Sequence, residues 1–177
     1  NSVRAVKALG RNSGGTQLNT IEHFQIPNGG TAVDFGDLTT AGGNLMSTSQ
    51  SHGGLNDGYQ GTRIRLLPAG RGFIGGGKTN PAGTNQIGIQ SITIQTLGNT
   101  NDFGNLTIAS YGRSGCASST RGVFGAGYND PAGYINVIES IEFISQGNAS
   151  DFGDSTVARA FSASNTGSQT RGIIGAG

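Results

Sequence analysis

The chain has no tryptophan, one cysteine, one methionine, two histidines and four prolines in 177 residues. No apolar run approaches the roughly 20 residues a membrane helix needs, so membrane insertion through a helix is not expected. The lone Cys116 has no partner for an internal disulfide or a thiolate cluster, and reads as a small strand residue rather than a reactive thiol. Charged residues are only 12% and the net charge is +1, which leaves no electrostatic footprint for nucleic acid, no polybasic membrane patch and no acidic tail. Few prolines and a near-zero net charge also argue against disorder. With no tryptophan, a stacking sugar-processing cleft is disfavoured. Neither an initiator methionine nor the charged-then-apolar layout of a signal peptide opens the chain, which is expected to be a processed protein or a window of a longer one.

What the sequence has instead is glycine, at 33 positions, arranged in a repeat. Arg121-Gly-Val-Phe-Gly-Ala-Gly127 recurs as Arg71-Gly-Phe-Ile-Gly-Gly-Gly77 and Arg171-Gly-Ile-Ile-Gly-Ala-Gly177, and in weaker form as Arg4-Ala-Val-Lys-Ala-Leu-Gly10. Residues 4–34 align with 121–151 without a gap, bringing Asn19 to Asn136, Ile21-Glu22 to Ile138-Glu139 and Asp34 to Asp151. The middle copy matches with a one-residue slip between Gly83 and Ser91. The chain is therefore read as a single repeat domain, 1–177. Its units are 4–70, which includes an insertion at 39–70, then 71–120, 121–170 and the start of a fourth at 171–177.

Four strands are expected in each module. The glycine strand comes first, and a turn follows it, Lys78 to Gly83 or Tyr128 to Gly133, whose Pro and Gly oppose a helix. The second strand spans Asn85 to Gln95 or Asn136 to Ser145. There Ile92 and Ile94, Ile141 and Phe143, and Phe24 and Ile26 alternate about a polar residue with period two. An Asp-Phe-Gly turn then leads into a short third strand, through Leu106 to Ile108 or Ser155 to Val157. A fourth lies near Ala109 to Tyr111 and Ala158 to Phe161. The class is all-β. A four-stranded unit with a period near 50 is the pattern of kelch-type propellers, and units of this size must stack on their neighbours. Three and a fraction modules fall short of a usual ring, so an incomplete ring or part of a larger or oligomeric propeller is expected.

Several motifs imitate sites. Gly72 to Thr79 satisfies the phosphate-loop pattern, but Pro81 and Gly83 oppose the helix that would hold the anion. Asp-Phe-Gly occurs three times without the kinase motifs that give those letters a magnesium role. The pairs Asp34 with Asp37 and Asp151 with Asp154 suggest a hard cation, yet the middle copy has Asn105, and structural Asx turns at Asp34, Asp102 and Asp151 are preferred. His23 occupies a strand position filled by Ser140 in the third module, so no Ser-His-Asp triad can be assigned; a copper oxidase site is equally unsupported. No catalytic residue, metal or cofactor is expected. Asn105 and Asn148 open Asn-x-Ser/Thr triplets that recur with the module, which favours turn chemistry over glycosylation. Nearly half of all charge recurs with the repeat, and Arg4, Arg71, Arg121 and Arg171 are expected to bind carboxylates or carbonyls between units. Residues that break the repeat, His52, Asn56, Asp57, Tyr59, Arg63 and Arg65, all fall in the insertion and form a candidate recognition loop for glycan or protein.

The order of these features resembles a kelch-like repeat of structural proteins in tailed bacteriophages, especially marine cyanophages. Gly147-Asn-Ala-Ser-Asp-Phe-Gly-Asp154, Thr156-Val-Ala-Arg159 and Gly115-Cys-Ala-Ser-Ser-Thr-Arg-Gly-Val-Phe-Gly125 carry the likeness, with Gly98-Asn99 and Asp102-Phe-Gly-Asn105 as counterparts. It covers 71–177 well and 4–37 more weakly, and the insertion departs from it. The resemblance implies a non-enzymatic virion component, such as a tail fibre, tail appendage or head decoration, located on the extracellular particle. It would contact other virion proteins or copies of itself, and host-surface glycan. The competing expectation is a secreted or cell-surface bacterial carbohydrate-binding propeller.

Overall fold

The computed structural model describes residues 4–8, 10–49, 70–79, 83–162, 164–167 and 170–175. Within them every regular element is a strand, and all pairing is antiparallel. The first sheet holds β1 (Arg4–Ala8), β2 (Thr20–Gln25) and β3 (Val33–Asp37). β4 (Met46–Ser49), β5 (Arg71–Gly75), β6 (Gly88–Thr93) and β7 (Asn101–Asn105) form the second, in that order. The third repeats it with β8 (Ser114–Ala117), β9 (Arg121–Asn129), β10 (Gly133–Glu142) and β11 (Ser150–Asp154), and the fourth is the pair β12 (Ser164–Gly167) and β13 (Gly172–Gly175). None of the sheets closes on itself.

Register makes the repeat literal. Gly75 faces Ile89, Gly125 faces Ile138 and Ala8 faces Ile21, while Phe73, Val123 and Val6 face Ser91, Ser140 and His23. The one-residue slip lies in the turn, where Thr79 N donates to Thr84 O in the middle module but Asn129 faces Gly133 in the third; up to that turn the pairing, including the bulge between Ile135 and Ile138, has the same offset in both.

Two expectations about strands are corrected. The fourth strand of the repeat lies at Ser114–Ala117 and Ser164–Gly167, not at Ala109 to Tyr111 and Ala158 to Phe161. The Ser/Gly/Thr stretch expected to be a loop is that strand, and it pairs with the arginine strand that follows it, so each sheet takes its first strand from the end of the preceding sequence repeat. Asp-Phe-Gly is not a turn either. It lies within β3, β7 and β11, and the phenylalanine is the extra residue of a bulge: Ile21 faces Gly36 and Glu22 faces Asp34, with the same jump at Phe103 and Phe152.

Period-two alternation sends each sheet's two faces to different neighbours. Ile74, Ile92 and Ile94 face the first sheet and pack on Ile21, Phe35 and Leu38. Met46, Phe73 and Ile89 face the third sheet, with Phe103 and Leu106, and meet Phe124, Ile141 and Phe143. Phe73 stacks on Phe143 with centroids 4.6 Å apart and meets Phe103 edge-on at 5.0 Å. Four phenylalanines, Phe73, Phe103, Phe124 and Phe143, are fully buried there. At about 1.5–3 kcal/mol each, this burial outweighs any single polar contact between the sheets.

Candidate functional site

The residues that looked most like chemistry lie between sheets. Arg4 Nη1 donates to the carbonyls of Ile94 at 3.0 Å and Gln95 at 3.2 Å in the second sheet. Arg71 makes the equivalent contact one module on, to the carbonyl of Phe143 at 2.9 Å. It adds a bond to Ser91 Oγ at 3.1 Å and sits 5.0 Å and 5.4 Å over the rings of Phe73 and Phe103. Burial lowers the Arg71 guanidinium from its ordinary pKa. Arg121 differs. It turns to Glu142 of its own sheet, with Nε 2.7 Å from Oε1, and lies 5.6 Å over Phe152. Arg171 lies just before β13.

The Asp-Phe-Gly bulge explains each of its letters. The phenylalanine leaves the alternation to fill the gap to the next sheet, where Phe35 and Phe103 are 2% and 1% exposed. The glycine admits the next module's backbone: a Cβ at Gly36 would run into the Gly98 carbonyl, and one at Gly104 into that of Gly147. Along this approach Gly98 N donates to Phe35 O at 2.9 Å and Thr100 N to Asp37 O at 2.9 Å; Gly147 N to Phe103 O at 3.1 Å and Ala149 N to Asn105 O at 2.8 Å repeat the pattern. The side-chain acceptor is an asparagine from the following module. Asn99 Oδ1 takes the N–H of Asp37 at 2.9 Å and Asn148 Oδ1 that of Asn105 at 3.0 Å. Of the expected Asx turns, Asp151 accepts the Gly153 N–H at 3.3 Å, whereas Asp34 and Asp102 are exposed edge residues.

The other candidates are dispersed. Lys78, of the phosphate-loop lookalike, sits in β-bridges to Gly43 and Asn85. Its Nζ is 2.6 Å from Asp130 Oδ2 and 4.8 Å over the Tyr111 ring, and the bond to Asp130 holds its pKa above the ordinary value. His23 is buried edge-on against Phe35 at 5.8 Å, opposite Val6 on β1. Cys116 is half-buried in β8, and desolvation pushes its thiol pKa up. Among the described residues no three His, Cys, Asp or Glu side chains group as a metal would require. The recognition loop His52, Asn56, Asp57, Tyr59, Arg63 and Arg65 lies outside the described residues.

Two features escaped the sequence reading. One is a buried ion pair: Arg113 Nη1 lies 2.5 Å from Glu139 Oε1, with the side chains 1% and 0% exposed, and Glu139 Oε2 takes the Thr107 N–H at 2.5 Å. Among the described residues its N–H groups have no aligned acceptor, so Glu139 is the one group set against its charge. Burial lowers the pKa of Arg113 and the neighbouring Glu139 opposes that shift. The available signal was Arg113, which occupies the place of Leu45 and breaks the repeat, while Glu139 recurs as Glu22 and stands at the place of Gln90. The other feature is an aromatic surface at the turn end of the second and third sheets. Tyr128 meets Tyr111 at 5.6 Å and Tyr134 at 5.1 Å, and Tyr111 meets Phe161 at 5.7 Å. Tyr134 and Phe161 are 59% and 52% exposed, and Lys78, paired with Asp130, lies over the Tyr111 ring that Phe161 meets. Three of the chain's four tyrosines gather here, which composition alone did not reveal.

This surface offers ring faces, phenol hydroxyls, one ammonium and one carboxylate, the donor and acceptor set of a polar ligand bound by stacking and hydrogen bonds. No protein-family model matches the chain, and a search of curated proteins finds no match. Among the described residues, no helix is long and apolar enough to cross a membrane.

Proposed function

We propose that the chain is a non-enzymatic structural module of a bacteriophage virion, a tail fibre, appendage or head decoration. Its stacked sheets belong to a kelch-like propeller scaffold, and its turn end serves attachment to host-surface glycan. One observation carries the structural part of this reading: the polar residues that recur with the module spend their donors and acceptors on the next module. Arg4 and Arg71 cap carbonyls of the following sheet, and Asn99 and Asn148 cap the preceding edge strand. Residues committed in this way build a scaffold and are not free to turn over a substrate. The exposed Tyr134 and Phe161, in one aromatic cluster with Tyr111 and Tyr128, support the attachment part, since ring faces on a rigid scaffold suit the C–H faces of sugars.

Proteomic analysis of density-banded phage particles from the source of the gene tests the assignment. Peptides of this chain should co-purify with the particles, and glycan binding by the isolated protein should fall on Tyr134→Ala with Phe161→Ala. Recovery only from a bacterial secreted or surface fraction, with glycan binding retained, would instead favour a secreted carbohydrate-binding propeller.

A further inference from the structure

The three modules agree in their framework and part company at the turn end. Ala8, Gly75 and Gly125 each face an isoleucine, whereas the place of Lys78 is taken by Arg11 in the first module and by Tyr128 in the third. That equivalence is structural. Arg11 bridges Gln17 and Lys78 bridges Asn85, as Tyr128 pairs with Tyr134, and Gly43 bridges Lys78 as Tyr111 bridges Tyr128. Where a rigid repeat varies the residue at one surface position, that residue is released from the framework and can follow a ligand.

Two features of this end go beyond a platform of rings. The first is charge. Arg159 stands by the tyrosines: Gly127 N donates to its carbonyl at 2.7 Å and its own N–H to Ile135 O at 3.4 Å, next to Tyr128 and Tyr134 in the chain. Arg11 reaches the same end from the first module, its Nε 3.6 Å from the place a Cβ at Gly43 would take. Arg159 is half-buried and Arg11 exposed, and among the described residues neither guanidinium enters an ion pair, a hydrogen bond or a ring contact. Asp130 does not balance them, because Lys78 already holds it at 2.6 Å. The second feature is strain. Phe161 has φ 58°, a left-handed backbone that a bulky side chain rarely adopts, and its ring lies against Tyr111 at 5.7 Å and where a Cβ at Gly112 would stand. That conformation leaves the residue 52% exposed, which core packing does not require, and strained residues of this kind cluster where ligands bind.

We propose that the turn end takes a glycan built with acidic sugars: sugar rings lie against Tyr134 and Phe161, and sugar carboxylates pair with Arg159 and Arg11. A guanidinium presents a planar fork that a carboxylate matches with two parallel N–H···O bonds, which a hydroxyl cannot do. A neutral glycan would use the rings alone and leave both cations without a partner. The inference rests on the glycan reading of this end and narrows it to the charged class.

Array binding followed by calorimetric titration of the full chain tests it, with uronic- and sialic-acid oligosaccharides set beside their methyl esters as probes. Wild type should bind the acid form of a glycan about 10- to 100-fold more tightly than its ester, the effect of one charge-assisted contact. Arg11→Gln and Arg159→Gln should each narrow that difference and together close it, whereas Tyr134→Ala with Phe161→Ala should weaken binding of acid and ester alike. Circular dichroism melts check the fold, and Arg11→Gln, at an exposed site, carries the test if Arg159→Gln melts early. Equal affinity for acid and ester, or a preference that survives both arginine substitutions in one chain, would overturn the charged class and leave the glycan reading standing. Wild type that binds neither acid nor ester would overturn both.

Discussion

Replacing Glu139 by glutamine keeps an acceptor for the Thr107 N–H but strands the Arg113 guanidinium, 1% exposed, without its counter-charge. Breaking one side of a buried pair costs about 3–5 kcal/mol, because the remaining charge stays desolvated. Arg113→Leu strands the Glu139 carboxylate in the same way and should cost a similar amount. The double variant differs in kind. The second sheet already carries Leu45 and Gln90 at the two positions, with Gln90 Oε1 accepting from Thr39 N at 2.9 Å, so Arg113→Leu with Glu139→Gln rebuilds an arrangement the fold uses one module earlier. Gly77 and Gly127 make room for Leu45 and Arg113 at matching places, so the leucine should fit without strain. For a domain of this size, about 2–4 °C of midpoint is lost per kcal/mol. Each single variant should therefore melt about 6–20 °C below wild type, and the double variant within about 5 °C of it. Circular dichroism melts and urea titrations of the four proteins give the coupling energy directly. If the double variant shows the sum of the two single losses, the buried pair is not the unit described here.

Two further outcomes follow from the same contacts. Arg71→Lys should lower stability by about 1–2 kcal/mol in urea, through loss of the Phe143 carbonyl bond and the stacking on Phe73 and Phe103. Arg121→Lys, whose partner Glu142 is in its own sheet and 43% exposed, should change it by less than about 1 kcal/mol; equal losses would refute an inter-sheet role for the arginine. Desolvation raises the Cys116 thiol above its ordinary pKa, so the folded state holds its proton to higher pH than the unfolded chain. Its contribution is complete below the unfolded thiol value, about 8.5, and is lost as pH rises through the folded one. Denaturation midpoints of wild type should therefore fall more steeply above about pH 8.5 than those of Cys116→Ser, and identical slopes would contradict the burial.

Much of the fold was legible because period-two alternation and glycine spacing are local signals. The pairing of Ile92 with Ile94 and of Ile141 with Phe143 about a polar residue fixed the third strand of each complete sheet, and the fit of His23 to Ser140 survives in the register. Asp-Phe-Gly has the letters of a turn but lies within a strand. The three letters are explained by an adjacent module's backbone passing over Gly36 and Gly104, a contact between residues more than 40 apart that no local pattern displays. The Ser/Gly strand at Ser114–Ala117 has a loop's composition for a related reason. Its small residues suit close passage between β4 and β8, and low hydrophobicity there reflects tight packing rather than solvent. The buried Arg113 and the tyrosine cluster depend on where the chain brings single, non-repeating residues, which a repeat-based reading discards.

The most direct measurement concerns whether glycine is present so that one module can lie against the next. At Gly104 a Cβ would collide with the Gly147 carbonyl, whereas at Gly147 it would meet nothing within 4 Å, and neither residue has the positive φ that would strain alanine for backbone reasons. Gly104→Ala should push the third sheet's Gly147 to Ala149 segment off β7, breaking hydrogen bonds of 3.1, 2.8 and 3.0 Å, and lower stability by about 2–4 kcal/mol in urea denaturation. Gly147→Ala should match or slightly exceed wild type, since it only restricts the unfolded chain. Equal stability of the two variants would contradict the account.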